Sequence, residues 1–226
     1  MRVSVLLGLA VGAIALIASS GLANVFKSNQ RMSGFSADGR HYIYLEDARD
    51  TGAGILTARL QIVDLASSTC VQNGCLVTHN SERQPDKETA DSLLRQTWKL
   101  RKSLGLTPPT AGTPLSTISQ AIAANKTEIW NVRLNNSGST VKLRLQQNLA
   151  QGTAGIGRAA ISLEMTQNNR KRSLGSLNNF RDGVEGYSIR EVRLSPNGRN
   201  LVVLLNKIEP TFEGVLETTL VQGFPL

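Results

Sequence analysis

The densest chemistry in the chain lies in Glu46-Asp47-Ala48-Arg49-Asp50-Thr51-Gly52-Ala53-Gly54, where carboxylates crowd together just ahead of two glycines. Carboxylates beside flexible backbone carbonyls can hold a hard cation such as calcium, and two carboxylates converging in a cleft can serve a hydrolase as acid and base. The stretch lacks the alternating acidic spacing of a calcium loop. Arg49 also competes for the same oxygens, so a solvated loop held by ion pairs is the first expectation. A second acidic loop, containing Glu209, Pro210, Phe212, Glu213 and Gly214, occupies the matching place near the C-terminal end. If the two ends of the chain pack side by side, these loops meet and Glu46, Asp47, Asp50, Glu209 and Glu213 form one acidic rim.

Other chemistry is bounded by scarcity. His41 and His79 are the only histidines, which excludes a three-histidine metal site and leaves few ways for imidazole to activate a nucleophile. His41 is expected at a strand start and His79 in a polar loop, both as ordinary surface or half-buried side chains. Gly152, Gly155 and Gly157 are followed by no Gly-Lys-Ser/Thr and precede a strand pattern, so they read as a hairpin connection rather than a phosphate cradle. No cofactor is expected, calcium being the alternative, and the reading leans away from an enzyme. Cys70 and Cys75 flank Val71-Gln72-Asn73-Gly74. Asn-Gly favours a tight turn, and in an oxidising compartment so close a pair suits a disulfide pinning it. A redox pair is the lesser alternative. A two-residue hairpin at Asn73-Gly74 would pair Gln72 with Cys75 and leave Cys70 out of register, so the bridge stays open.

The elements that must position these residues show in the periodicity. Phe35-Ser36-Ala37-Asp38-Gly39-Arg40 leads into His41-Tyr42-Ile43-Tyr44-Leu45, and Leu194-Ser195-Pro196-Asn197-Gly198-Arg199 leads into Asn200-Leu201-Val202-Val203-Leu204. Each is turn chemistry followed by a β-rich run, predicting a hairpin. The likeness extends to Gly54-Ile55-Leu56 with Leu60 and Gly214-Val215-Leu216 with Leu220. Between these units the spacing of Ala90, Leu93, Leu94, Trp98 and Leu104 predicts an amphipathic helix from about Asp86 to Leu104. Arg95, Lys99, Arg101 and Lys102 fall on its other faces, Gly105 caps it, and Pro108-Pro109 ends it. Thr113-Pro114 is expected to open a short second helix with Ile118, Ala121 and Ile122 on one side. The period then returns to two: Trp130, Val132 and Leu134 alternate, as do Val141, Leu143 and Leu145, and later Ile161, Leu163 and Met165. Arg170-Lys171-Arg172, beside Asn168 and Asn169, reads as a solvated loop tip. The fold class is mainly β: antiparallel hairpins or a meander, with two similar β units at the ends and an inserted helical segment. An α+β fold is the alternative.

At the N-terminus Arg2 precedes an apolar run from Val5 to Ile17, and Gly21 and Ala23 place small side chains where a signal peptidase cuts. Residues 1–23 are therefore expected to be a signal peptide cleaved near Ala23, leaving 24–226 as a single mature domain in the periplasm or outside the cell. An uncleaved anchor in the cytoplasmic membrane is the alternative, since Val3 to Ala23 is long enough to span. The chain carries a net charge of +8, and cleavage removes only Arg2. Envelope proteins, anionic polymers or a membrane surface are expected as partners ahead of nucleic acid, for which no motif is present.

One resemblance joins these features. Gly34 to Arg40 with Glu46-Asp47 and Asp50-Thr51-Gly52-Ala53-Gly54, then Leu60-Gln61-Ile62-Val63-Asp64, the helix before Gly105, and Leu194 to Arg199 with Phe212-Glu213-Gly214 resemble bacterial proteins grouped as predicted secreted proteins with a domain of unknown function. Ile55-Leu56 stands where members usually carry an aromatic residue and proline, and the cysteine pair is an addition. The resemblance implies an exported single domain and supplies no activity. The expected function is a non-enzymatic binding or interaction module of the cell envelope. The alternative is a carboxylate hydrolase or calcium-binding module using the 46–54 loop.

Overall fold

The computed structural model describes residues 24–49, 54–80, 87–122, 127–134, 138–152 and 155–226. The expected signal segment 1–23, with its expected cut after Ala23, lies outside them. The described chain is mainly antiparallel β, as the alternation predicts, and it forms three sheets stacked on one another beneath a helical layer. The first sheet runs β2 (Asn29–Phe35), β3 (His41–Arg49), β4 (Leu56–Asp64), β5 (Thr69–His79). The central sheet runs β1 (Asn24–Lys27), β15 (Gly214–Pro225), β14 (Asn200–Thr211), β13 (Gly186–Leu194), β6 (Thr113–Pro114), with β1 parallel to β15. The third runs β11 (Arg170–Gly175), β10 (Gly157–Gln167), β9 (Ser139–Gln151), β8 (Glu128–Leu134), β7 (Thr117–Ile122), with β12 (Arg181–Asp182) beside β10.

Side-chain alternation explains the stacking, because successive residues of a strand face opposite sides. Ile43 and Leu45 of β3 and Leu60 and Ile62 of β4 meet Ala90 and Leu93 of helix α1 (Lys87–Gln96). Their neighbours Tyr42 and Tyr44 point the other way, joining Phe35 and Val63 against Val202, Leu204 and Val221 of the central sheet. Leu201, Val203, Leu205 and Phe224 then face the third sheet through Val141, Leu143, Leu145 and Leu163. The start of β14 is buried on both faces from Asn200 to Leu205, which is why Leu201 to Leu205 is an unbroken apolar run rather than an alternating one.

The two end units match down to single hydrogen bonds. Ser36 Oγ donates to Asp38 Oδ1 at 2.6 Å and accepts from His41 N at 2.9 Å, while Arg40 N donates to Asp38 Oδ1 at 3.0 Å. In the second unit Ser195 Oγ donates to Asn197 Oδ1 at 2.7 Å and accepts from Asn200 N at 2.9 Å, and Arg199 N donates to Asn197 Oδ1 at 3.0 Å. Gly39 and Gly198 adopt φ of +69° and +70°. Five residues before each serine the strand bulges at an arginine, Arg31 in β2 and Arg190 in β13. The turns also bond to each other, Asn200 Nδ2 donating to Gly39 O at 2.9 Å and Asn197 Nδ2 to Asp38 O at 2.6 Å. Beyond the turns the register corrects the expected correspondence. Leu45 pairs with Leu60 and Leu204 with Val221, so Leu60 matches Val221 rather than Leu220.

Four expectations for the remaining elements change. The predicted long helix is two segments, α1 and α2 (Trp98–Ser103), jointed at Thr97, whose Oγ1 bonds to Leu93 O at 2.6 Å. That joint changes the helical phase, leaving Trp98 52% exposed and burying Arg101. Gly105 closes α2 as read: at φ +67° it lets Leu106 N reach Arg101 O at 2.8 Å, and Leu106 is fully buried. The second helix expected from Thr113 is instead β6 and the exposed edge strand β7, since β8 offers Thr117 and Ile122 a pairing partner that local propensity cannot anticipate. Arg170-Lys171-Arg172 opens strand β11, which turns from β10 through Asn168 and Asn169, both at positive φ. Finally, Asn73-Gly74 makes no hairpin between strands. Cys70 stands opposite Val63 and Cys75 opposite Gln61 on the same strand β5, the residues between them form a bulge, and a disulfide joins the two cysteines across a Cα distance of 5.8 Å.

Candidate functional site

Where the first and central sheets diverge, away from the Asp38 and Asn197 turns, the apolar interface gives way to a polar layer and then to a cleft of about 440 Å³. The outward residues of β4 (Thr57, Arg59, Gln61) and Glu46 of β3 meet β14 and β15 there. Gln61 behaves as an extra peptide group between sheets: its Nε2 donates to Thr219 O at 2.7 Å and its Oε1 accepts from Val221 N at 3.2 Å. Arg190, on its bulge, donates to Thr219 Oγ1 and to Tyr44 Oη, both at 2.9 Å.

Glu46 forms the floor of the cleft and is 1% exposed. Strand β1 ends at Lys27, so Thr219 N of β15 would have no partner on that side; Glu46 Oε1 accepts from it at 3.0 Å. Oε2 accepts from Thr219 Oγ1 at 2.9 Å and Ser28 Oγ at 2.6 Å. Three donors converging on a buried carboxylate hold it in one orientation. Beside it Arg59 pairs with Glu209 through Nη1, and Lys207 Nζ lies 2.9 Å from Glu209 Oε1. Burial by itself raises the Glu209 carboxyl, but the Lys207 and Arg59 charges, with bonds from Lys207 and Thr218, outweigh it and hold it below the usual carboxylate range. Glu209 is therefore ionised at neutral pH. Ala48, Ile55, Ile156, Pro210 and Leu216 supply apolar walls.

The structure separates the residues singled out in the sequence. Glu46 and Asp47 lie within strand β3, not in a loop, and so face opposite sides of the first sheet. Asp47 is buried toward the helical side, where Arg31 pairs with its Oδ2 and its Oδ1 has no partner. Asp50 lies outside the described residues, and with it the core of the proposed calcium loop. Glu209 belongs to strand β14, and Glu213 is exposed in the two-residue turn before β15 without lining the cleft. Of the expected rim, Glu46 and Glu209 share the cleft. Among the described residues no three His, Cys, Asp or Glu side chains form a group able to hold a metal ion. His79 ends strand β5 rather than sitting in a loop; its Nδ1 is 2.9 Å from Thr57 Oγ1, and it lines the cleft.

Arg59, Thr218, Thr219 and Ser28 carried no signal in the sequence beyond their place in alternating strands. Alternation reports that the Thr57, Arg59 and Gln61 face of β4 is polar without reporting that a second sheet covers it. A family model described as "Predicted secreted protein (DUF2259)" matches residues 46–222, a span running from Glu46 past Arg59, Glu209 and Thr219. No curated protein and no solved structure matches the chain. Among the described residues no helix is long and apolar enough to cross a membrane.

Proposed function

The chain belongs to this family of predicted secreted proteins, and from that premise we propose that it is a non-enzymatic binding module of the cell envelope that uses the cleft between its first two sheets. The observation that carries the reading is Glu46, a buried carboxylate oriented by three donors at the floor of an open cleft with apolar walls. Pre-formed sites of this kind, mostly apolar with a few fixed polar groups, suit a small ligand. The ligand that fits presents an ammonium or hydroxyl donor toward Glu46 and an apolar portion toward Ile55, Ile156 and Leu216. The hydrolase alternative loses support, because Glu46 and Asp47 diverge and Glu209 is held ionised by two cations, whereas an acid–base pair needs one carboxyl kept protonated. The remaining partner expectation, attraction of a chain of charge +8 to anionic surfaces, is compatible with a cleft ligand.

The test is a backbone-amide NMR titration of the purified protein with a panel of amino sugars and short peptides. Binding should perturb residues around Glu46, Thr57, Arg59 and Leu216, and Glu46→Gln should weaken it while the melting temperature moves little. A panel whose hits perturb only residues outside the cleft would refute the proposal.

A further inference from the structure

The outer face of the helical layer carries a second concavity, separated from the cleft by the first sheet. It has a volume of about 480 Å³ and is lined by Asp91, Leu94, Arg95, Trp98 and Arg101. Its unusual member is Arg101. The side chain is 6% exposed, Nη2 donates to Leu94 O at 2.9 Å, and Nε has no partner. The described residues provide no carboxylate paired with it, and burial lowers its pKa. A buried guanidinium without a counter-charge is costly, and few native sites retain one. Besides the bond to Leu94 O, it meets the ring of Trp98, 5.6 Å from Cζ, and that ring is itself 52% exposed.

From this geometry we infer that the Arg101–Trp98–Arg95 concavity is a binding site for the phosphate group of a phosphate ester. Arg101 supplies donors inside the site, where low dielectric strengthens them. Arg95 brings a second guanidinium from one side, and Trp98 gives a flat face for the organic part of the ester. Asp91 offsets one of the two cations and leaves one positive charge in excess, which favours an anionic ligand. It also offers an acceptor for a ligand hydroxyl. The site goes beyond the cleft reading and shares no residue with it.

The group could come from a lipid headgroup or from a soluble ester, and two probes separate the sources. Glycerol 3-phosphate is titrated by calorimetry, and vesicles of phosphatidylglycerol in phosphatidylcholine are tested by co-sedimentation. Binding to either probe is expected, with Trp98 emission changing on saturation and affinity falling about tenfold or more in Arg101→Met. Arg95→Gln, at an exposed position whose replacement leaves the fold alone, should weaken binding in the same direction. Vesicle binding with this variant pattern assigns the site to a lipid headgroup, and binding to glycerol 3-phosphate alone assigns it to a soluble ester. Failure of both probes to bind, or binding that both variants leave intact, overturns the inference. Glu46→Gln should leave either result unchanged, which keeps this outcome distinct from failure of the cleft reading.

Discussion

Replacing Glu46 tests whether one carboxylate joins the two sheets. Glu46→Leu removes the acceptor for Thr219 N, which is buried, and for the hydroxyls of Thr219 and Ser28. A buried amide left unsatisfied costs roughly 1–3 kcal/mol, and each lost hydroxyl bond about 0.5–1.5 kcal/mol. Ser28 is only half-buried, so water recovers part of its share, and the expected total is roughly 3 kcal/mol. For a chain of this length that corresponds to a melting temperature lower by about 6–12 °C. Glu46→Gln keeps the shape. Its oxygen placed at the Oε1 position still accepts from Thr219 N, and its amide can donate to the hydroxyls of Ser28 and Thr219, the latter also accepting from Arg190 and so losing its own acceptor, for a total cost of about 1 kcal/mol. Urea denaturation of both variants, combined in a double-mutant cycle with Thr219→Val, isolates the hydroxyl contact. If Glu46→Leu costs less than about 1 kcal/mol, or Gln and Leu are equally damaging, the carboxylate is not the junction described here.

The paired turns predict an asymmetry between equivalent glycines. Gly39→Ala and Gly198→Ala both force a side chain into a left-handed conformation at about 1–2 kcal/mol, but a Cβ at Gly39 lies 2.8 Å from the Asn197 side chain while one at Gly198 meets nothing within 4 Å. Chemical denaturation should show Gly39→Ala to be the more destabilising. Replacing Cys70 and Cys75 by serine opens a short loop and should cost about 2 kcal/mol by the chain-entropy estimate, measured as a shift in urea midpoint that reductant reproduces in the native protein. Burial raises the Glu128 carboxyl above its usual value, and the hydrogen bond from Ile189 N at 2.9 Å only partly opposes this. A raised carboxyl favours the fold in its protonated form, so this contribution is complete in acid and declines as pH rises through the folded-state pKa. Glu128→Gln should therefore raise the melting temperature at neutral pH and lose that advantage in acid; an equal effect at both pH values would contradict the burial of an ionised group.

What could be read from the sequence follows from what local pattern encodes. The hairpins, the Schellman closure at Gly105 and the likeness of the two turns all depend on residues within one turn or strand, and each is present. The failures are tertiary. Thr113 to Ile122 has a helical spacing of apolar residues, yet β8 draws it into an edge strand. Trp98 was assigned to the apolar face because the spacing assumed one continuous helix, and Thr97 shifts the phase. The candidate site was half visible. Glu46 and Glu209 stand out as acidic residues, while Arg59 and Thr219 find the partners that matter for the cleft, Glu209 and Glu46, 150 and 173 residues away in sequence. Asp47 looked like Glu46's companion in composition, although adjacent residues of a strand cannot share a face.

The place of the central sheet in the chain has a consequence for biosynthesis. This layer combines β1, the first of the described strands, with β13, β14 and β15, which follow all the others in chain order, and both flanking sheets bury apolar faces against it. Until β13, β14 and β15 are made, the first and third sheets lack the layer that joins them, and the hydrogen bond from Asn200 to Gly39 cannot form. Contacts of such sequence separation are slow to form. The central layer of a polypeptide ordered in this way forms only after β14 and β15 have been made, and a chain whose layers are still unjoined is nearer the unfolded state in which exported proteins are threaded across a membrane.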